Sequence, residues 1–293
     1  MNNIAIGVDI GGSHITASAV DLDIRTVMRN TRMRQYVNSA DEAARIINAW
    51  CDVIRSIMPS NRNDIKIGIA MPGPFDYEKG ISYITGLGKY ENLYGLYVKE
   101  LMADVLGVSP AQIRMNNDAA CFLHGEMFAG AGRGSSHAIG ITLGTGTGTA
   151  THHAGTTKDA NLGPSPFLDS IADNYLSTRW VVGEFERLSG KKASNVEDLV
   201  LHHGTDPIVQ EIFALFSRNL ALLLTDFIHR EKPRIVVMGG NISKASDWFL
   251  PGTQKILRDN GIGIPIMKAV LGEDATILGA ASLFTSVGRI LSV

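Results

Sequence analysis

The chain has 293 residues, 31 of them glycine, about a tenth of the sequence where roughly 7% is usual. Hydrophobic residues at 45% and charged ones at 19% exclude intrinsic disorder, and ten prolines without a repeating period exclude a collagen-like or low-complexity chain. Lys plus Arg total 27 against 29 Asp plus Glu, and a net charge of -2 gives no electrostatic reason for nucleic acid or an anionic membrane as partner.

A chain of this length buries roughly 75% of its unfolded surface, as one large domain or two smaller ones. Cys51 and Cys121 lie in apolar helical patterns without C-x-x-C spacing, which reads as two reduced buried thiols. The opening Met1-Asn2-Asn3-Ile4 lacks the basic region of a secretory signal. The longest apolar stretch, around Leu220 to Leu224, falls short of the 18 or so residues of a membrane span. A soluble, cytoplasmic protein is expected.

In chain order, Ile4 to Asp9 reads as a buried strand and Ile15 to Val20 as a second, closing a hairpin. Ser39 to Met58 reads as a helix, with Ser39 and Glu42 as a capping box and Ile46, Trp50, Val53 and Ile57 at helical spacing. Ile65 to Ala70 is a short strand stopped by Pro72-Gly73-Pro74, and Glu91 to Leu106 is largely helical from Leu96. A strand at Ile113 to Met115 feeds Asn116-Asn117-Asp118 and a helix from Ala119 to Phe128. Ala138 to Leu143 is a strand that runs into Gly144-Thr145-Gly146-Thr147-Gly148. Asp206-Pro207 opens a long helix to about Arg230, and Arg234 to Met238 is a last buried strand before Gly239-Gly240-Asn241. Strands alternate with helices in both halves, which predicts an α/β protein of two similarly built domains with a boundary near residue 116.

The three glycine turns carry two readings each. Gly11-Gly12-Ser13 lets backbone N–H groups approach a phosphate closely, and an ordinary hairpin turn explains it as well. Gly144 to Gly148 interleaves hydroxyls with bare amides, as a phosphate site or a bulged hairpin. Gly239-Gly240 follows a strand's carboxyl end, where α/β sheets bind ligands, although a tight strand-to-helix turn needs the same residues. Neither a Walker motif nor a G-x-G-x-x-G opening a helix is present. Asp118, at a strand-to-helix junction, reads as a helix N-cap or as a carboxylate able to take a proton from an alcohol beside Asn117.

Taken together and in order, these segments resemble the ROK family of sugar kinases in the actin-like/hexokinase superfamily. Asp9-Ile10-Gly11-Gly12-Ser13-His14, with Asp21 further on, resembles the D-x-G-G-T-K opening. Gly68 to Pro74 with Asp76 resembles G-x-G-x-P-G-P-x-D, and Asn92-Leu93 resembles the Asn-Leu before the sugar-site helix. Asn117-Asp118-Ala119 with Glu126 resembles N-D-A-N-x-A-x-x-G-E, whose Asp is the catalytic base. Leu143 to Gly148 resembles the second phosphate motif, Val236 to Gly240 the adenosine motif, and Gly279-Ala280-Ala281 the closing helix.

The resemblance implies two actin-like (ribonuclease H-like) α/β domains with an interdomain cleft. They would be 1–116 with a C-terminal helix at about 279–293, and 117–278. It implies ATP-dependent phosphorylation of a monosaccharide, at a primary hydroxyl, with ATP and Mg2+, Asp118 as general base and a homodimeric assembly. The nucleotide would be held by Asp9, Gly11, Gly12, Ser13, His14, Gly144, Thr145, Gly146, Gly239, Gly240 and Asn241. Gly73, Asn92, Asn117, Asn161 and Asp173 would position the sugar.

Three departures from the family pattern stand out. Ser13-His14 replaces Thr-Lys, Asn161-Leu162-Gly163-Pro164 replaces E-x-G-H, and Asp173 with Ser177 replaces E-x-x-x-S. The cysteine-rich zinc loop is absent, so no structural zinc is expected. The rival expectation is a non-catalytic sugar or nucleotide sensor, or a ROK-type regulator. Regulators of the family carry an added N-terminal helix-turn-helix, and with Asp9 so near the start none is expected here.

Overall fold

The computed structural model describes residues 3–62 and 64–285. Strand β1 (Ile4–Ile10) turns back into β2 (His14–Asp21), followed by β3 (Thr26–Val27) and β4 (Met33–Tyr36). Next come α1 (Ala43–Ile57), β5 (Ile67–Met71), the hairpin β6 (Phe75–Asp76) and β7 (Ile81–Ser82), and α2 (Val98–Leu106). Strand β8 (Ile113–Asn117) leads into α3 (Asp118–Ala129), and β9 (His137–Leu143) into β10 (Thr147–His153) and β11 (Thr156–Asp159). Short β12 (Pro166–Phe167) and β13 (Ser170–Ile171) precede α4 (Thr178–Ser189), α5 (Val196–His203) and α6 (Pro207–Glu231). The chain closes with β14 (Ile235–Gly239), α7 (Leu250–Asp259), β15 (Ile266–Lys268) and α8 (Asp274–Ala281).

Two local expectations need correction. The helix expected from Ser39 starts only at Ala43, and no side chain caps it. Ser39 instead offers its carbonyl to the Tyr90 N–H at 2.8 Å, and Asn38 Oδ1 accepts from the Ala40 N–H at 3.2 Å. The Ser39 carbonyl, which would accept the first intrahelical bond of a helix starting there, is taken by a tertiary partner. Second, α6 is long and apolar enough, by length and composition alone, to cross a membrane. Its Val209, Ile212, Phe213, Phe216, Leu220 and Phe227 are instead buried in a core.

The chain divides into two compact units, one of Met1–Gly134, Ala154–Lys158 and Glu273–Val293, the other of Ser135–His153 and Asp159–Gly272. The stretch 286–293 of the expected C-terminal helix lies outside the described residues.

In the first unit the strand order is β3-β2-β1-β5-β8, with β4 also paired to β2. Strands β1 and β2 are antiparallel, while β1, β5 and β8 are parallel. Side chains alternate along β1, so Ile6, Val8 and Ile10 share one face, in a core with Trp50 and Ile54 of α1 and Met102 of α2. Gly7 and Asp9 belong to the other face, which α8 covers. There the helix lies so close that a Cβ on Gly7 would overlap the Ile277 carbonyl, and one on Gly68 of β5 the Ala280 carbonyl. Helices α3 and α8 meet in the same manner, Gly125 against the Ala275 carbonyl and Gly279 against the Cys121 carbonyl. Helix α3 is buried from Ala119 to Phe128, including His124, whose Nδ1 lies 2.8 Å from the Thr157 hydroxyl. Burial pushes that imidazole down to about 4, so it is neutral near pH 7.

In the second unit β10, β9, β14 and β15 lie side by side in that order. Helix α6 is capped by Asp206, whose Oδ1 accepts from the Ile208 N–H at 3.1 Å, and Pro207 occupies its first position.

The glycine seat of α8 predicts a steep stability loss on adding one methyl group. Gly68→Ala or Gly279→Ala should each cost about 3 kcal/mol, because backbone, not a flexible side chain, occupies the space. Gly183→Ala, inside α4 with open space around it, should instead add roughly 0.5–1 kcal/mol. Urea unfolding of the three variants measures the contrast.

Candidate active site

The turn between β1 and β2 is Gly11-Gly12-Ser13, closed by the Gly11 N–H donating to the His14 carbonyl at 2.8 Å. Tyr90 Oη donates to the Gly11 carbonyl at 2.6 Å and ties this turn to the loop that precedes Asn92. Ser13 Oγ and His14 Nδ1 lie 2.8 Å apart, and the His14 ring stands edge-on to Tyr36 with centroids 5.6 Å apart. Beside the turn is a cavity of about 300 Å³, lined among others by Asp9, Thr16, Arg32, Arg34 and Glu273. Strand register explains the lining. Asp9 is opposite Thr16 and Thr16 opposite Arg34, so a carboxylate, a hydroxyl and a guanidinium stand in a row on one face.

Asp9 is pushed up to about 6, first by desolvation, then by repulsion from Asp118 and, more weakly, Glu273, with Arg34 opposing. Asp118 opens α3. The cap itself is Asn117, whose Oδ1 accepts from the N–H groups of Ala119 at 2.8 Å and Ala120 at 3.3 Å. Asp118 Oδ1 accepts from the Ala119 N–H at 2.8 Å. The Asp118 side chain is exposed to solvent, yet protein surrounds the carboxyl closely enough that desolvation raises its pKa, with the Ala119 N–H and the Lys89 charge pulling the other way.

The residues expected at the sugar end have structural partners as well. Asn92 Nδ2 donates to the carbonyls of Ala40 at 3.2 Å and Asp41 at 2.9 Å, which leaves its Oδ1 as acceptor. Asn117 Nδ2 lies 3.3 Å from Tyr77 Oη, and a Cβ on Gly73 would come within 3.1 Å of the same hydroxyl. Asn161 is exposed, in the left-handed conformation at φ 49°. Asp173 Oδ1 accepts from the Thr147 N–H at 2.6 Å, while its own N–H donates to the Gly163 carbonyl at 2.9 Å. Asp173 therefore braces the second glycine turn from behind. Asp21, at another motif position, accepts from the N–H groups of Asp23 and Ile24 and closes a turn.

The second turn joins β9 to β10. Gly144 donates to the Gly146 carbonyl at 3.0 Å, and its own carbonyl accepts from the Thr178 N–H at 2.8 Å. Thr147 is buried with its hydroxyl on the Leu176 carbonyl, whereas Thr145 is exposed at the tip. The third turn sits beside the second, because Gly239 pairs with Thr142 and a Cβ on Gly240 would overlap Leu143. Gly240 also has φ 85°, Ser243 Oγ donates to its carbonyl at 2.6 Å, and Asn241 is exposed.

Three residues near the first turn escaped sequence reasoning: Arg34, Lys89 and Tyr90. Arg34 reaches Asp9 through strand register and Tyr90 reaches Gly11 through a loop, neither of which leaves a local periodic signal. Among the described residues no group of three or more His, Cys, Asp or Glu is arranged to hold a metal ion.

The ROK family model matches residues 5–161 of this chain. The chain is 28% identical to the glucokinase of Thermotoga maritima, with 95% of this chain and 96% of that protein covered. It is 24% identical to an N-acetyl-D-glucosamine kinase of Mannheimia succiniciproducens, with 95% and 98% covered. A ROK family glucokinase from Streptomyces griseus, solved in complex with glucose and AMPPNP, superposes with a TM-score of 0.75 at 22% identity over 96% and 99% of the two chains. The likeness establishes the fold as the two-domain actin-like α/β architecture.

The raised Asp9 carboxyl has a thermodynamic signature. Between 3.8 and about 6 the folded chain keeps a proton that the unfolded chain has released, so this group's contribution to stability is lost as pH rises through that window. Asp9→Asn should therefore be more stable than the parent by about 1–2 kcal/mol at pH 7, after allowance for solvent screening, and equal to it below pH 4. Urea titrations at the two pH values measure the difference.

Proposed function

This chain belongs to the ROK family, and from that premise we propose that it is an ATP-dependent monosaccharide kinase with Asp118 as general base. The observation that carries the reading is Asp118 itself. Its carboxyl is reachable by solvent, oriented by the Ala119 N–H through Oδ1, and raised in basicity by desolvation. Oδ2 is then the oxygen that takes a proton.

The residues present suit both ATP and Mg2+. A Cβ on Gly144 would meet nothing within 4 Å, so the second turn offers bare backbone to a phosphate. Asp9 feels repulsion from two carboxylates against one opposing Arg34, an excess of negative charge that a divalent cation relieves. When bound, Mg2+ neutralises charge on the phosphate oxygens, and Asp9 would hold it through its water shell.

In this reading Gly11, Gly12, Ser13 and His14 of the first turn and Gly144, Thr145 and Gly146 of the second hold the phosphates. Gly239, Gly240 and Asn241 contact the adenosine. The Asn92 Oδ1, Asn117, Gly73, Asn161 and the remaining oxygen of Asp173 orient the sugar. The acceptor hydroxyl oxygen attacks the γ-phosphorus, the bond from that phosphorus to the ADP oxygen breaks, and the hydroxyl proton moves to Asp118 Oδ2. The curated relatives named above act on glucose and on N-acetyl-D-glucosamine, which supports a hexose or amino sugar as acceptor.

Sugar-dependent ADP release over a panel of hexoses, amino sugars and their epimers tests the proposal. Asp118→Asn should lower kcat by about 10²–10⁴ while ATP still binds. In the parent, kcat/KM should fall on the acid side with an apparent pKa above that of an ordinary carboxyl, as Asp118 takes up its proton. Sugar binding without turnover anywhere on the panel would replace the kinase by a sensor. The altered Asn161-Leu162-Gly163-Pro164 segment is the observation that keeps this second reading in view.

A further inference from the structure

We propose that Lys89 supplies the positive charge at the transferring phosphoryl group, in the place of the lysine that the family resemblance expects where His14 stands. The inference rests on the kinase reading and assigns a residue that no motif marks.

The histidine is a poor substitute for a long ammonium side chain. Its Nδ1 is engaged with Ser13 Oγ at 2.8 Å and its ring with Tyr36. Lys89 reaches the same turn from another segment. A Cβ on Gly12 would sit 3.6 Å from Lys89 Cδ, so the aliphatic stem of the lysine lies along the bare backbone of the turn. Its charge also acts on Asp118, and no other cation does so as strongly. The stem on the phosphate turn and the charge felt at the base bracket the position where a phosphoryl group passes to an acceptor.

The loop around Lys89 is built rather than slack. The Gly88 N–H donates to Glu91 Oε1 at 2.9 Å, the Tyr90 N–H donates to the Ser39 carbonyl at 2.8 Å, and Tyr90 Oη holds Gly11. Lys89 is half-buried, and among the described residues it makes no ion pair. With no carboxylate in direct contact, the ammonium can take an incoming anion.

The neighbouring cations are less suited to the task. Arg32 and Arg29 are both paired with Asp274. Arg34 is exposed and registered toward Asp9.

Calorimetry on the full chain, with AMPPNP and ADP as probes in the presence of Mg2+, gives a readout independent of turnover. Lys89→Met should lose about tenfold or more of the preference for the triphosphate while ADP affinity stays at the parent value, which also shows that the variant folds. Lys89→Arg should keep most of the preference, and His14→Lys added to Lys89→Met should restore part of it. In steady-state assays kcat of Lys89→Met should fall about 10²-fold or more, and the acid limb of kcat/KM should move to higher pH.

An unchanged triphosphate preference in Lys89→Met overturns the assignment. So does an equal loss for AMPPNP and ADP, or a rise in sugar KM alone, which would move Lys89 to the acceptor. A parent chain that binds neither nucleotide defeats the kinase reading and this inference together. A parent that turns over sugar while Lys89→Met matches it defeats only this one.

Discussion

Helix α8 rests on its sheet backbone to backbone, at Gly7 of β1 and Gly68 of β5, and α3 rests on α8 at Gly125 and Gly279. Each of these contacts fills the volume a Cβ would need, so neither helix can rotate or slide without opening a void or a clash. The proposed chemistry depends on that constraint. Asp118 begins α3, and Glu273, Thr276 and Ile277, just before and within α8, line the cavity beside Asp9 and the first glycine turn. Groups far apart in sequence are thus held by close backbone-to-backbone packing.

That packing also concentrates charge. Desolvation raises Asp9 most and the Asp118 and Glu273 charges add to it, so Asp9 is a destabilising group at neutral pH. The compensating cations come from elements that share no local pattern with the acids. Arg34 arrives by strand register across Thr16, and Lys89 by a loop pinned to the first turn through Tyr90. In the proposed function these are the positions that carry the chemistry, and at Asp9 the folded chain gives up stability at neutral pH.

The strands and helices were largely legible because alternation and helical spacing act over a few residues. Ile6, Val8 and Ile10 alternate with Gly7 and Asp9, and Asp206-Pro207 marks the start of α6 unaided. The capping box expected at Ser39 does not form, because Tyr90, 51 positions away, takes the Ser39 carbonyl that a helix start there needs. The glycine excess was legible only in part. Turns at Gly11-Gly12, Gly144 to Gly148 and Gly239-Gly240 stand out after their strands, whereas Gly7, Gly68 and Gly125 sit inside a strand, a strand and a helix, where no local signal marks a backbone contact with another element. Gly73, Asn92, Asn117 and Asp173 could be singled out as polar or turn positions, but not that Asn92 holds the 40–41 backbone or that Asp173 braces Thr147.

By itself the sequence determined the alternation of α and β elements, the three glycine turns and the carboxylates at Asp9 and Asp118, because each is a matter of local propensity and spacing. The tertiary structure alone decided which side-chain atoms are already occupied, which carboxyls are raised, and which cations stand beside them. Those properties follow from desolvation and from distances between residues remote in the chain, and neither quantity exists until the chain has folded.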